Sequence, residues 1–157
     1  MSEIVKLTGF KELDKELERL SKAAGKGVLR RSMIKAAEPM AQIARALAPN
    51  DPATGGFDLE ASIKVGTRLS RSQKKAHRKM FRDDRAAVEV FMGAGPLPQA
   101  INQEFGNRRH GPQPFIRPSW DQDRGPLLDR LGQQLWSEIE KSVKRAEARA
   151  AKLAAKG

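Results

Sequence analysis

The chain has 157 residues, with 30 Lys and Arg against 19 Asp and Glu, a formal net charge of +11, two His and no Cys. That length suits one domain with a modest core, and the lack of cysteine excludes disulfide scaffolds, thiolate zinc sites and cysteine nucleophiles, compatible with assembly in a reducing cytoplasm. The positive charge attracts phosphate or acidic partners at long range. No apolar stretch approaches the ~18 residues of a membrane span, and Met1-Ser2-Glu3-Ile4 does not open a signal peptide, so no membrane partner is expected.

Phe10, Leu13, Leu17 and Leu20 recur at helical spacing among charged residues and predict a first amphipathic helix. Gly25-Lys26-Gly27 reads as a break, after which Val28, Leu29, Met33, Ile34, Ala37, Met40, Ile43, Ala44 and Leu47 predict a longer helix up to Pro49. The short connection implies antiparallel packing of the two, and Pro39 implies a kink in the second. Asn50 to Phe57 has loop composition. Ala61, Ile63 and Val65, then Val88, Val90 and Met92, alternate with their neighbours as strands do and predict a small antiparallel sheet covered by the helices. Pro98 to Phe105 reads as a short helix ended by Gly106, a residue free to take positive φ. Pro114 and Pro118 bias Gln113 and Arg117 toward extended backbone. A last helix is expected to open at Pro126 and to carry Leu127, Leu128, Leu131, Leu135, Ile139 and Val143 on one stripe. The fold expected is thus α+β: two N-terminal helices and a long C-terminal helix on a small antiparallel sheet, one domain over 1–143. An Ala/Lys/Arg-rich helical extension over 144–157 follows as solvated helix or contact arm.

Between the strands, residues 68–85 place eight cations, Arg68, Arg71, Lys74, Lys75, Arg78, Lys79, Arg82 and Arg85, against two Asp. A hairpin needs a loop of only ~2 to 5 residues, so this basic insertion reads either as a finger facing a phosphate backbone or as a solvated mobile loop. Catalytic chemistry finds little support: His77 and His110 lack partners at metal-ligand spacing and there is no glycine-rich phosphate loop. A metal-dependent nuclease would have to draw on Glu104, His110, Asp121 and Asp123. The simpler reading makes Glu104 a helix-end residue and the two Asp favourable charges near the start of the last helix. Phe105, Phe115 and Trp120 read as core, with Trp120 and Trp136 as alternative anchors of a subunit interface.

Several motifs in sequence carry a resemblance: Leu7-Thr8-Gly9-Phe10-Lys11-Glu12-Leu13, Ala36-Ala37-Glu38-Pro39, Ala46-Leu47-Ala48-Pro49, Ser62-Ile63, Glu104-Phe105-Gly106 and Pro114-Phe115-Ile116-Arg117-Pro118. In order and spacing the chain resembles the head-tail connector, neck or tail-completion proteins of long-tailed phages, the gene-product-ten family of the lambdoid type. The resemblance implies a virion protein of the neck, assembled in the host cytoplasm, without catalytic residue or cofactor. Its implied partners are its own copies in a ring, head-closure or adaptor proteins, the tail terminator or tail tube protein, and passing DNA touched without sequence preference. A free nucleic-acid-binding protein or nuclease is the alternative.

Overall fold

The computed structural model describes residues 22–50, 59–82 and 88–157. The expected first helix over Phe10 to Leu20 and the loop from Asp51 to Phe57 lie outside these residues. Helix α1 spans Lys22–Leu47 and runs unbroken through Gly25-Lys26-Gly27, correcting the expected break. Each glycine weakens a helix by about 1 kcal/mol relative to alanine, but Val28 immediately after is held by Leu135 and Ile139 in a buried cluster. Pro39 also lies within α1. It has no N–H for the carbonyl of Lys35, and beside that opening Arg130 donates to the Ala36 carbonyl from Nε at 3.1 Å and Nη2 at 2.9 Å.

A helical turn, α2 (Leu59–Ser62), precedes strand β1 (Lys64–Gly66), so Ala61 and Ser62 belong to a turn rather than to the strand. The Ser62 hydroxyl closes that turn by donating to the Leu59 carbonyl at 2.6 Å. Helix α3 (Arg71–Met80) follows, then strand β2 (Phe91–Gly93). The two strands pair antiparallel with Lys64 opposite Gly93, Val65 opposite Met92 and Gly66 opposite Phe91. The sheet is shorter than the alternation suggested, Val88 and Val90 lying before β2. Two strands are marginal alone. Here Val65 and Met92 pack against a core of Ala41, Ala44, Leu59, Ile63, Ala100 and Phe115, and Arg45 of α1 donates from Nε to the Ile63 carbonyl at 3.0 Å.

Helix α4 (Pro98–Phe105) ends where Gly106 takes φ of +77°. A Cβ there would lie 2.9 Å from the Pro112 nitrogen, so both conformation and space demand glycine. Helix α5 then runs from Ile116 to Ala154, 39 residues. It opens ten residues before Pro126, which sits inside it, and Arg117 is helical rather than extended. Pro118, not Pro126, occupies the first turn, where its missing N–H would have had no helical partner anyway. The carbonyl that Pro126 leaves without a donor is that of Gln122, an exposed residue within reach of water. α5 packs antiparallel along α1, bringing Leu135 and Ile139 to Val28, while residues 143–157 are exposed throughout. The α+β class holds: mostly helical, with a two-stranded antiparallel sheet and a long C-terminal helix.

Candidate functional site

The basic insertion is largely helix. Ser70 caps α3 reciprocally: its hydroxyl accepts from the Gln73 N–H at 3.3 Å, and the Gln73 side chain accepts from the Ser70 N–H at 3.1 Å. This is a capping box, readable in the sequence as Ser70-Arg71-Ser72-Gln73. At about 100° per residue, Arg71, Lys74, Lys75, Arg78 and Lys79 fall within an arc of roughly 140°. Gln73, Ala76, His77 and Met80 occupy the opposite arc. All five cations are exposed, and among the described residues none pairs with a carboxylate. Arg68 before the helix and Arg82 after it are exposed too; Arg85 lies outside the described residues.

The far side of α3 fixes it to the sheet. The His77 ring meets Phe91 of β2 edge-on at 5.2 Å, stacks obliquely on Phe81 at 4.9 Å, and lies 3.5 Å from the Glu89 carboxylate. The cationic face is therefore presented by an ordered helix, whereas the sequence composition suggested scattered charges on a loop. Only the capping box and the angular spacing of the cations could have revealed this beforehand.

Carboxylates elsewhere are turned inward. Glu104, 6% exposed, sits at the last turn of α4 and caps the start of α5. Its Oε2 accepts from the N–H groups of Phe115 at 2.8 Å and Ile116 at 3.0 Å, and its Oε1 from the Arg117 N–H at 3.1 Å and Nε at 2.9 Å. Arg117 also donates from Nη2 to the Glu104 carbonyl at 2.7 Å and lies over the Phe105 ring, 4.8 Å from its centre. Burial opposes ionisation of Glu104, but the Phe115 and Ile116 amides and the Arg117 side chain outweigh it and hold the carboxyl below its ordinary value. The positive end of the α5 dipole favours the same charge. Glu138 behaves alike: burial is overcome by Lys35, Arg31 and Lys141, with Lys35 at 3.3 Å and Arg31 at 3.2 Å. Asp123 pairs with Arg130.

These contacts separate the residues a nuclease would need. Glu104 and Asp123 are engaged by cations and amides, and Asp121 is exposed on α5. His110 belongs to its own turn. Its Nδ1 donates to the Gly111 carbonyl at 3.0 Å, leaving Nε2 to accept from Asn107 at 3.1 Å. Among the described residues no group of three or more His, Cys, Asp or Glu is placed to hold a metal ion. No helix among them is long and apolar enough to cross a membrane.

Of the three aromatics expected in the core, Phe115 alone is buried; Phe105 is 63% and Trp120 52% exposed. Phe105 sits at the α4 end with its neighbour Glu104 turned inward, and its ring is covered by Arg117 instead of by core. Trp120 lines an apolar groove of about 600 Å³ between α1, β2 and α5, with Met33, Met40, Met92 and Leu127. Trp136 is exposed farther along α5. Sequence reasoning missed Arg130, which ties α5 to α1 by donating to the Ala36 carbonyl while pairing with Asp123.

A family model described as bacteriophage HK97-gp10, a candidate tail component, matches residues 11–106, which include α1, the sheet, α3 and α4. The Pro114 to Pro118 motif falls outside that match. No curated protein and no solved structure matches the chain. With well over half of its length matched, the chain belongs to the HK97-gp10-like family of bacteriophage tail-related proteins.

Proposed function

We propose that the chain is a non-catalytic ring subunit of the phage neck, joining head-closure or adaptor proteins to the tail terminator or tail tube, with α3 facing the DNA that passes. The observation that carries this reading is the exposed cationic face of α3, which meets no carboxylate among the described residues, in a chain of this family. From Arg71 to Lys79 that face is about 12 Å long at 1.5 Å per residue, close to the ~12 Å width of a DNA major groove, so a helix laid across the groove meets phosphates on both strands. Contacts of this kind hold DNA without reading its bases, which suits a genome that must slide out.

The test is duplex binding by the purified chain across a salt series, compared with a Lys74→Ser, Lys75→Ser, Arg78→Ser, Lys79→Ser variant. The variant should retain its fold and lose affinity, with a shallower dependence on salt. An unchanged salt slope would remove α3 from the DNA path. Magnesium-dependent cleavage of the duplex would overturn the non-catalytic reading.

A further inference from the structure

Helix α5 carries two exposed apolar surfaces. Toward its start, Trp120, Leu127 and Leu131 line the groove of about 600 Å³ together with Met33, Met40 and Met92. Toward its end, Val143, Ala146, Ala150 and Leu153 fall within about 80° of one another at 3.6 residues per turn. All four are exposed, Leu153 at 73%.

We propose that the end of α5 in one copy seats its Val143 to Leu153 stripe in the groove of a second copy. The proposal rests on the reading of the chain as a subunit that associates with its own copies, and it names the two surfaces that meet. They cannot meet within one chain. From Leu131, the last groove residue, to Val143, the first of the stripe, α5 is continuous helix, which holds the two about 18 Å apart along its axis. Two unlike surfaces on one rod join copies head to tail, the kind of contact that closes into a ring when the rotation between copies allows it. Shape agrees. The groove holds three of the five methionines of the chain, whose flexible side chains mould to an apolar helix face, and the stripe sets two alanines between Val143 and Leu153, which lets the helix axes approach closely. Charge agrees as well. Of the two charged residues lining the groove, Arg117 is engaged by Glu104, and Asp121 pairs with no cation among the described residues. The segment 144–156 brings five bases against the single acid Glu147.

The chain has no cysteine, so full-length chains with one introduced cysteine each report only contacts between copies. A Met33→Cys or Leu127→Cys chain is mixed with an Ala146→Cys or Ala150→Cys chain under mild oxidation, and circular dichroism checks that each is helical. Ala148→Cys, on the opposite side of the α5 end, is the control. The expected result is a mixed disulfide dimer between groove and stripe and none with Ala148→Cys, because a disulfide needs Cα atoms within ~7 Å. In sedimentation equilibrium, Ala146→Glu with Ala150→Glu should weaken self-association by about tenfold or more, since it carries carboxylates into an apolar groove, whereas Ala148→Glu should leave it unchanged. A wild-type chain that associates while groove and stripe form no mixed disulfide, or while Ala148→Cys links as readily, would place the contact on other surfaces and overturn the proposal with the ring reading intact. A wild-type chain that stays monomeric at every concentration would overturn both.

Discussion

Glu104 and the α3 cations treat charge in opposite ways. Glu104 is buried, and both its oxygens are engaged by the amides and guanidinium at the start of α5. The five α3 cations are exposed and meet no carboxylate among the described residues. A buried charge with every partner in place fixes architecture, since removing it strands several donors. An exposed unpaired charge contributes little to stability, and its reach is toward whatever approaches from outside. The difference separates what holds this fold from what it offers to a partner.

The sharpest way to break that contrast is Glu104→Ala. It strands the Phe115, Ile116 and Arg117 donors together and should cost roughly 3 kcal/mol. For a chain this size that lowers the melting temperature by about 6–12 °C. A loss below about 1 kcal/mol in urea unfolding would mean that the start of α5 is held by something else. The four-serine variant of α3 should do the reverse. Its stability should change by no more than about 1 kcal/mol, mostly through helix propensity, while the slope of log affinity for duplex DNA against log salt falls by up to ~3.6.

Acid sharpens the comparison from another side. Glu104 and Glu138 both have folded pKa values below the ordinary 4.5. Their contribution is therefore complete above pH 4.5 and is lost as pH falls through the folded values. Unfolding midpoints in urea should begin to drop near pH 4.5, and Glu104→Gln should flatten that drop; equal pH dependence in the two proteins would contradict the assignment. The smallest effect has the opposite sign. Ser32 of α1 is fully buried, and among the described residues its hydroxyl finds no hydrogen-bond partner. Ser32→Ala should thus be neutral or stabilising by up to about 1 kcal/mol, and destabilisation in a melt would reveal a partner for that hydroxyl.

Local chemistry made much of this legible. Gly106 as a helix stop, the short helix from Pro98, and the long amphipathic stripes of α1 and α5 follow from φ preference and 3.6-residue spacing. Tertiary contacts decided what local signals misplaced. Gly25 and Gly27 look like a turn until Val28 finds Leu135 and Ile139. The Pro114 to Pro118 motif looks extended because the carboxylate that starts the helix there lies eleven residues upstream, in Glu104. Trp120 resembles core by composition, yet α5 presents it to a groove open to solvent. The candidate site was legible as composition, eight cations in 18 residues. Its one-sided geometry depended on recognising that Ser70 and Gln73 begin a helix.

The unbroken length of α5 bears on the size of the particle. A compact protein of 157 residues has a radius of gyration of about 15 Å, equivalent to a sphere roughly 39 Å across. Thirty-nine helical residues measure about 58 Å at 1.5 Å each. Beyond Ile139, which packs against Val28, the helix runs on for fifteen residues to Ala154, about 22 Å, and among the described residues it is exposed from Val143 onward, as a handle. Small-angle scattering from the isolated subunit should show a maximum dimension near 60 Å, and in an assembly that handle would set a minimum distance between the layer holding the sheet and whatever receives the tip.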